Sequence, residues 1–224
     1  MPRPPSSSLT PIRRLTQIMS ALRAPDGCPW DREQDHRSLR WHAVEEVYEL
    51  MDAIEQSDDE ELLEELGDLL LQVVFHAQLA SERGKFDFDA VCRRLTEKLI
   101  RRHPHVFGEV KVKNVDQVWA NWEQIKRAEK AGSKHERKSA LDGIPKHLPA
   151  LMRAQKLVKK AKKAGLTTVA PKKVKSSKTS IAAELFRLAE LCQSNDWSAE
   201  ELLRQETGKR EQVWRKAERS SAKS

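Results

Sequence analysis

From Leu69 to Phe75 the chain is apolar on nearly every side of a helix, and Asp68 stands immediately in front of that block. Such a segment belongs at the centre of a helical bundle, because a surface helix carries only one apolar stripe. A carboxylate against that block needs a proton, a cationic partner or a metal ion. Asp68 is not isolated. Acids gather as Glu45-Glu46-Val47-Tyr48-Glu49 and as Glu64-Glu65-Leu66-Gly67-Asp68. Glu46 and Glu49 are three apart and share one helix face, and Glu65 and Asp68 repeat that spacing.

Helical periodicity runs through the rest of the chain, and no useful length of β-alternation interrupts it. Helices are predicted over Leu9 to Leu22, from a Ser38 cap to about Glu55, over Glu60 to Glu82, and from Asp87 or Asp89 to His103. Further ones are predicted over Val115 to about Lys130, Leu151 to Ala164, and Ser180 to about Glu218. Gly84 and Gly165 fall where left-handed caps end helices. The inward face of the second helix is expected to hold Val44, Tyr48 and Met51, with Leu50 and Ile54 beside them; Val91, Leu95, Leu99 and Ile100 are expected inward on the fourth. The fold class is therefore all-α, an antiparallel helical bundle. The short Ser57-Asp58 connection makes the two acid-bearing helices antiparallel neighbours.

Two acidic faces brought together this way form one oxygen-rich site from Glu46, Glu49, Glu65 and Asp68, suited to Mg²⁺, with Mn²⁺ as a substitute. Glu45, four residues before Glu49, is a candidate fifth ligand or general base. Solvation is the ordinary fate of Glu-rich runs, and it suits Glu60, Glu61 and Glu64 at a helix start. A di-iron bundle needs Glu-x-x-His on each of two helices. Only Glu33 to His36 has that spacing here, in a segment read as loop.

Composition narrows the class. With 38% hydrophobic and 33% charged residues, no apolar stretch approaches a membrane span. Met1 to Leu9 lacks an apolar core and reads as a disordered tail, not a signal peptide. Cys28, Cys92 and Cys192 form no CxxC, and a reducing cytoplasm suits them. The net charge is +7, yet Arg153 to Lys178 alone holds ten basic residues and no acid. Removing those ten from +7 leaves −3 elsewhere. The basic character thus belongs to one segment, which argues against treating the whole chain as a nucleic-acid binder.

Several motifs, in order between about Leu9 and Gly165, resemble the MazG family of nucleoside triphosphate pyrophosphohydrolases. They are Gly27-Cys28-Pro29-Trp30-Asp31, the two acidic clusters, Phe86-Asp87-Phe88, Arg101-Arg102-His103-Pro104-His105-Val106-Phe107, Trp122-Glu123-Gln124-Ile125-Lys126, and Leu148-Pro149-Ala150-Leu151. The resemblance implies an all-α NTP pyrophosphatase that converts a nucleoside triphosphate to the monophosphate and pyrophosphate, clearing nucleotides, noncanonical ones included, from the pool. It places metal ligands on Glu46, Glu49, Glu65 and Asp68, and catalysis on Glu45, Glu46 and Glu49, with Glu45 orienting or deprotonating water. It places phosphate-gripping cations on Lys98 and Arg102, with Arg101 beside them. A homodimer is implied, which Trp119 and Trp122 would serve. The chain departs from the family at Arg40-Trp41-His42-Ala43, so the pocket lining differs there.

The expected organisation is a tail (1–8), a catalytic helical domain (9–135), a connector with a basic helix and a linker at about 167–178 (136–179), and a shortened second MazG-like segment (180–224). In that last part Ala182-Ala183-Glu184-Leu185-Phe186 replaces an ExxGD-like stretch, so no metal site is expected. A rival of a different class is a nucleotide-sensing or binding module whose basic 153–178 segment contacts nucleic acid or an acidic partner.

Overall fold

The structure is a computed structural model of the chain, and it describes residues 4–6, 8–133, 136–167 and 177–221. The tail expected over 1–8 lies partly, and the linker expected over 167–178 mostly, outside the described residues. Among the described residues there are helices and no strand. The chain divides into two compact units, Met1–Val118 and Trp119–Ser224. The division falls earlier than the 135/136 boundary expected from composition, and it groups the connector with the C-terminal helices.

The first unit contains α1 (Pro11–Leu22), α2 (Pro29–Glu33), α3 (His42–Gln56), α4 (Asp59–Glu82), α5 (Phe88–Arg102) and α6 (Pro104–Phe107). Pro11 opens α1, where a missing N–H costs nothing. Between α3 and α4 the chain reverses in two residues. Ser57 takes the left-handed conformation, and the Asp58 side chain accepts from the N–H groups of Glu60 and Glu61 at 3.0 and 3.2 Å. Asp87 caps α5 in the same way, accepting from Ala90 N at 2.7 Å, and Gly84 ends the preceding segment at φ +62°. Two short helices, α2 and α6, occupy segments expected as loop, each started by a proline. Ser38 does not cap α3. It forms a reciprocal turn with Asp35, whose carboxylate accepts from Ser38 N at 2.8 Å while Ser38 Oγ accepts from Asp35 N at 2.9 Å. One irregular turn follows before α3 begins at His42.

Met19, Leu39, Val74, Phe75 and Leu79 form the core of this unit, with Leu15, Leu71 and Phe88 packed against it. Full burial of side chains of this size contributes roughly 1.5–3 kcal/mol each. Arg23, at the end of α1, anchors the same region. It grips Glu82 with two bonds of 2.7 Å, lies 5.5 Å from the centre of the Phe75 ring, and donates to the carbonyls of Asp31 and Gln34. The Arg23 hydrogen bond holds the Glu82 carboxyl below its ordinary value.

The expected inward faces need correction. Ala53 is buried on α3, whereas Val44, Tyr48, Met51 and Ile54 are exposed. On α4, Leu63, Leu66, Leu70 and Val73 are exposed, and on α5 so are Leu95, Leu99 and Ile100. Helical spacing gives the direction of an apolar stripe but not the element that covers it. Here α4 packs on α3, α1 and α5, yet these large apolar residues stay without a cover in the single chain.

The second unit holds most of α7 (Val115–Ala128), which spans the division, with α8 (Ala150–Lys163), α9 (Lys178–Ser194) and α10 (Ala199–Ser221). Leu141, Leu157 and Ala161 form its core, with Ile144, Leu166 and Trp214 against them. Ion pairs stitch α8 to α10. Arg153, only 8% exposed, pairs with Glu211; Glu211 also holds Arg215 at 2.7 Å, and Arg215 reaches Asp142 at 2.8 Å. Arg153 was counted in the basic segment, but it is a buried structural cation and offers nothing to a polyanion. The burial follows from its place one turn into α8, facing the acids of α10.

One polar contact in the first unit has a pH signature. The His36 and His76 rings stack at 5.0 Å with their Nδ1 atoms 2.8 Å apart, and Arg83 lies 2.8 Å from His36 Nε2. An arginine only donates, so His36 Nε2 accepts and His36 Nδ1–H donates to His76 Nδ1. This chain is complete only with both rings neutral. Burial, and then the His36 charge, push the His76 pKa below its ordinary value. The unfolded chain therefore binds more protons below about pH 6.5, and stability is lost as pH falls through that range. The urea midpoint is expected to drop between about pH 7.5 and about pH 5.5, and to drop less in His76→Gln, which keeps an acceptor for His36. Equal drops in both proteins would show that the pair does not set the pH response.

Candidate metal and active site

The reversal at Ser57 sets the register of the site. Glu49 and Glu65 each stand eight residues from Ser57, and Glu46 and Asp68 each stand eleven. In an antiparallel hairpin these positions come level with one another, so the two ExxE/D faces meet between α3 and α4. Carboxylate oxygens of Glu46, Glu49 and Glu65 lie within 4.8 Å of one another, and among the described residues no other trio of metal-capable side chains gathers in this way. Asp68 is close enough for its charge to act on both Glu46 and Glu65.

The electrostatics are those of a site missing positive charge. Burial pushes the Glu46 carboxyl upward, with Asp68 and Glu49 adding to the shift. Desolvation, and then the charges of Glu49, Asp68 and Glu46, push Glu65 upward as well. Glu65 Oε2 is buried and has no hydrogen-bond partner. An orphaned carboxylate oxygen among like charges is costly, and a hard divalent cation is the group an all-oxygen donor set of this kind fits. Gln72 is the residue the sequence reading missed. Its Nε2 donates to Glu46 Oε1 at 3.2 Å. The signal that points to it is its place four residues after Asp68, on the acidic face of α4.

The other sequence-selected residues fall as follows. Glu45 is exposed and lies outside the trio, with its Oε2 3.7 Å from His42 Nδ1. His42 also meets the edge of Trp30, with ring centres 6.1 Å apart, and Trp41 is 63% exposed. Lys98 and Arg102 share a face of α5, which packs on α4; both are partly buried, and Arg101 is exposed between them. Trp119 is exposed and Trp122 is partly buried. Glu33 and His36 are no half-site for iron: His36 is engaged by His76 and Arg83. In α9, Glu184 pairs with Arg187 at 2.7 Å and takes part in no acidic cluster among the described residues.

Comparison with known proteins bears on the same stretch. The model of the MazG nucleotide pyrophosphohydrolase domain matches residues 34–107. A nucleoside triphosphate pyrophosphohydrolase of Escherichia coli K12 is 50% identical over 163 residues, covering 71% of this chain and 61% of that protein. The nucleoside triphosphate pyrophosphohydrolase/pyrophosphatase MazG of Thermotoga maritima is 46% identical over 154 residues, covering 69% and 58%. The chain thus spans about three fifths of the length of these relatives. A crystal structure of a mazG-related protein from Thermotoga maritima aligns with 51% of this chain and 97% of its own, at 26% identity and a TM-score of 0.44. The matched domain begins before the first acidic cluster and ends beyond the cations of α5, so residues 34–107 of this chain are a domain of the MazG nucleotide pyrophosphohydrolase family.

Proposed function

We propose that the protein hydrolyses nucleoside triphosphates to the monophosphate and pyrophosphate, with Mg²⁺ (or Mn²⁺) held by Glu46, Glu49, Glu65 and Asp68. The observation that carries this is the convergence of three carboxylates within 4.8 Å around a buried, unpartnered Glu65 oxygen. The names of the Escherichia coli and Thermotoga maritima relatives point to the same reaction. When bound, the cation neutralises phosphate oxygens and acidifies a coordinated water. Gln72, donating to Glu46 Oε1, orients that carboxylate. Glu45, at the rim and four residues from Glu49, orients or deprotonates the attacking water. Lys98 and Arg102, with Arg101, offset the charge of the phosphate chain. A role in clearing nucleotides, noncanonical ones included, fits this chemistry, and a reducing cytoplasm suits the three free cysteines. No helix among the described residues is long and apolar enough to cross a membrane.

A homodimer belongs to the same proposal. Apolar residues of α3, α4 and α5 leave an exposed face in the single chain, beside a carboxylate site formed between α3 and α4. A second copy would cover that face and deepen the cleft.

Three outcomes are expected. With a panel of triphosphates, pyrophosphate and monophosphate appear in equal amounts, require Mg²⁺, and fall at least about 100-fold in Glu49→Gln or Asp68→Asn, since even outer-shell partners cost about 10–100-fold. Metal-independent turnover, or full activity in both variants, would remove the assignment. Second, the raised carboxyls of Glu46 and Glu65 make the metal-free fold bind more protons than the unfolded chain. Their contribution is present below the ordinary carboxylate value and is lost as pH rises. At neutral pH, Glu65→Gln is therefore expected to raise the melting temperature of the metal-free protein and to abolish the rise caused by Mg²⁺; a lower melting temperature without metal contradicts the charge repulsion. Third, light scattering is expected to give a dimer for the natural chain and a monomer of unchanged helicity for Met51→Lys/Leu63→Lys. A dimer in that variant would place the interface elsewhere.

A further inference from the structure

The second unit contains a cavity of about 530 Å³ that the proposed reaction does not use. Its walls come from the last turns of α7, the 136–140 segment and Lys160 of α8. Arg127, Lys130, Arg137, Lys138 and Lys160 line it, and none of the five forms a salt bridge among the described residues. Of the two acids in the lining, Glu123 is taken by Lys126 at 3.6 Å, which leaves Glu136 against five cations.

The arrangement is held together by backbone, not by acids. Lys160 Nζ donates to the carbonyls of Asp142 and Ala140 at 2.7 and 3.2 Å. Burial, and then the Arg137 charge, lower the Lys160 pKa. The Arg137 guanidinium lies on the backbone of Gly143, where a Cβ would come within 2.3 Å of Cζ; Gly143 also has φ +87°. Arg137 Nε is buried without a hydrogen-bond partner. Arg127 and Lys130 stand at the C-terminal end of α7, where cations offset the helix dipole. That role does not account for Arg137 and Lys160, which reach the same space from a loop and from another helix. Cations brought together against their own repulsion, one of them with an unsatisfied N–H, define a place for a multivalent anion. The volume suits a small ligand, since such pockets run about 300–1,000 Å³. A hollow of this kind admits the phosphate chain of a small molecule, not a duplex.

We propose that this cavity is a second anion site, separate from the carboxylate cluster, that binds the phosphate chain of a small polyphosphate, whether inorganic pyrophosphate or the tail of a nucleotide. The test is calorimetric titration of the full chain with inorganic pyrophosphate in EDTA, which removes divalent metal from the carboxylates. Saturable binding is expected, weakened at least about 10-fold in the surface double variant Arg127→Gln/Lys130→Gln, weakened by added KCl, and unchanged in Glu49→Gln. A nucleoside triphosphate and a nucleoside are titrated alongside. Equal affinity for pyrophosphate and triphosphate assigns the site to the phosphate chain alone, and tighter binding of the triphosphate assigns it to a nucleotide tail; binding of the nucleoside alone overturns the proposal. No binding, binding undiminished in the double variant, or binding lost in Glu49→Gln also overturns it. Hydrolytic activity is read separately, so either result stands whatever becomes of the carboxylate site.

Discussion

The α3–α4 hairpin is the constraint on which the rest of the first unit depends. A two-residue reversal, with Ser57 left-handed and Asp58 capping α4, brings level two acidic faces that repel each other. The cost is visible in the upward push on Glu46 and Glu65 and in the unpartnered Glu65 oxygen. It is sustained by packing further along the same helices. Val74, Phe75 and Leu79 lock α4 to Met19 and Leu39, and Arg23 ties the end of α1 to Glu82. The half of α4 that forms the core carries the stability, and the half near the turn carries the charge.

That division of labour also explains the open apolar face. The acids occupy the side of α3 turned toward α4, so the larger apolar residues of α3 are left on the other side: Val44, Tyr48, Met51 and Ile54. With Leu63, Leu66, Leu70 and Val73 of α4, they leave many large apolar side chains exposed in the single chain. The site and the uncovered face are consequences of one register, since helices of this width cannot turn acids and bulky aliphatics to the same neighbour.

In the second unit, charge does structural work. The Arg153–Glu211–Arg215–Asp142 chain and the Glu200 and Glu218 contacts to the 139–150 backbone join α10 to α8 and the loop before it. A segment that reads as a uniform basic patch is divided by folding. Arg153 is consumed in its pair with Glu211, and Lys160 lines a cavity.

Local rules fitted where the interaction was local. Gly84 and Gly165 end their helices with positive φ, Asp87 caps α5, and the ExxE and ExxD spacings each mark one helix face, because each depends on residues within about one turn. Ser38 does not cap α3 because Asp35, three residues earlier, competes for it. The sequence by itself determined the long helices of the first unit, the acidic rows and the short turn that pairs them, since these follow from periodicity and capping, whereas the short helices α2 and α6 and the break between α9 and α10, in a stretch expected as one helix, were not legible in it. Only the tertiary structure decided which apolar stripes are covered, that Gln72 holds Glu46, that Arg153 is buried, and that His36 meets His76. Each of those joins residues many turns apart, and helical spacing carries no information about which distant face arrives.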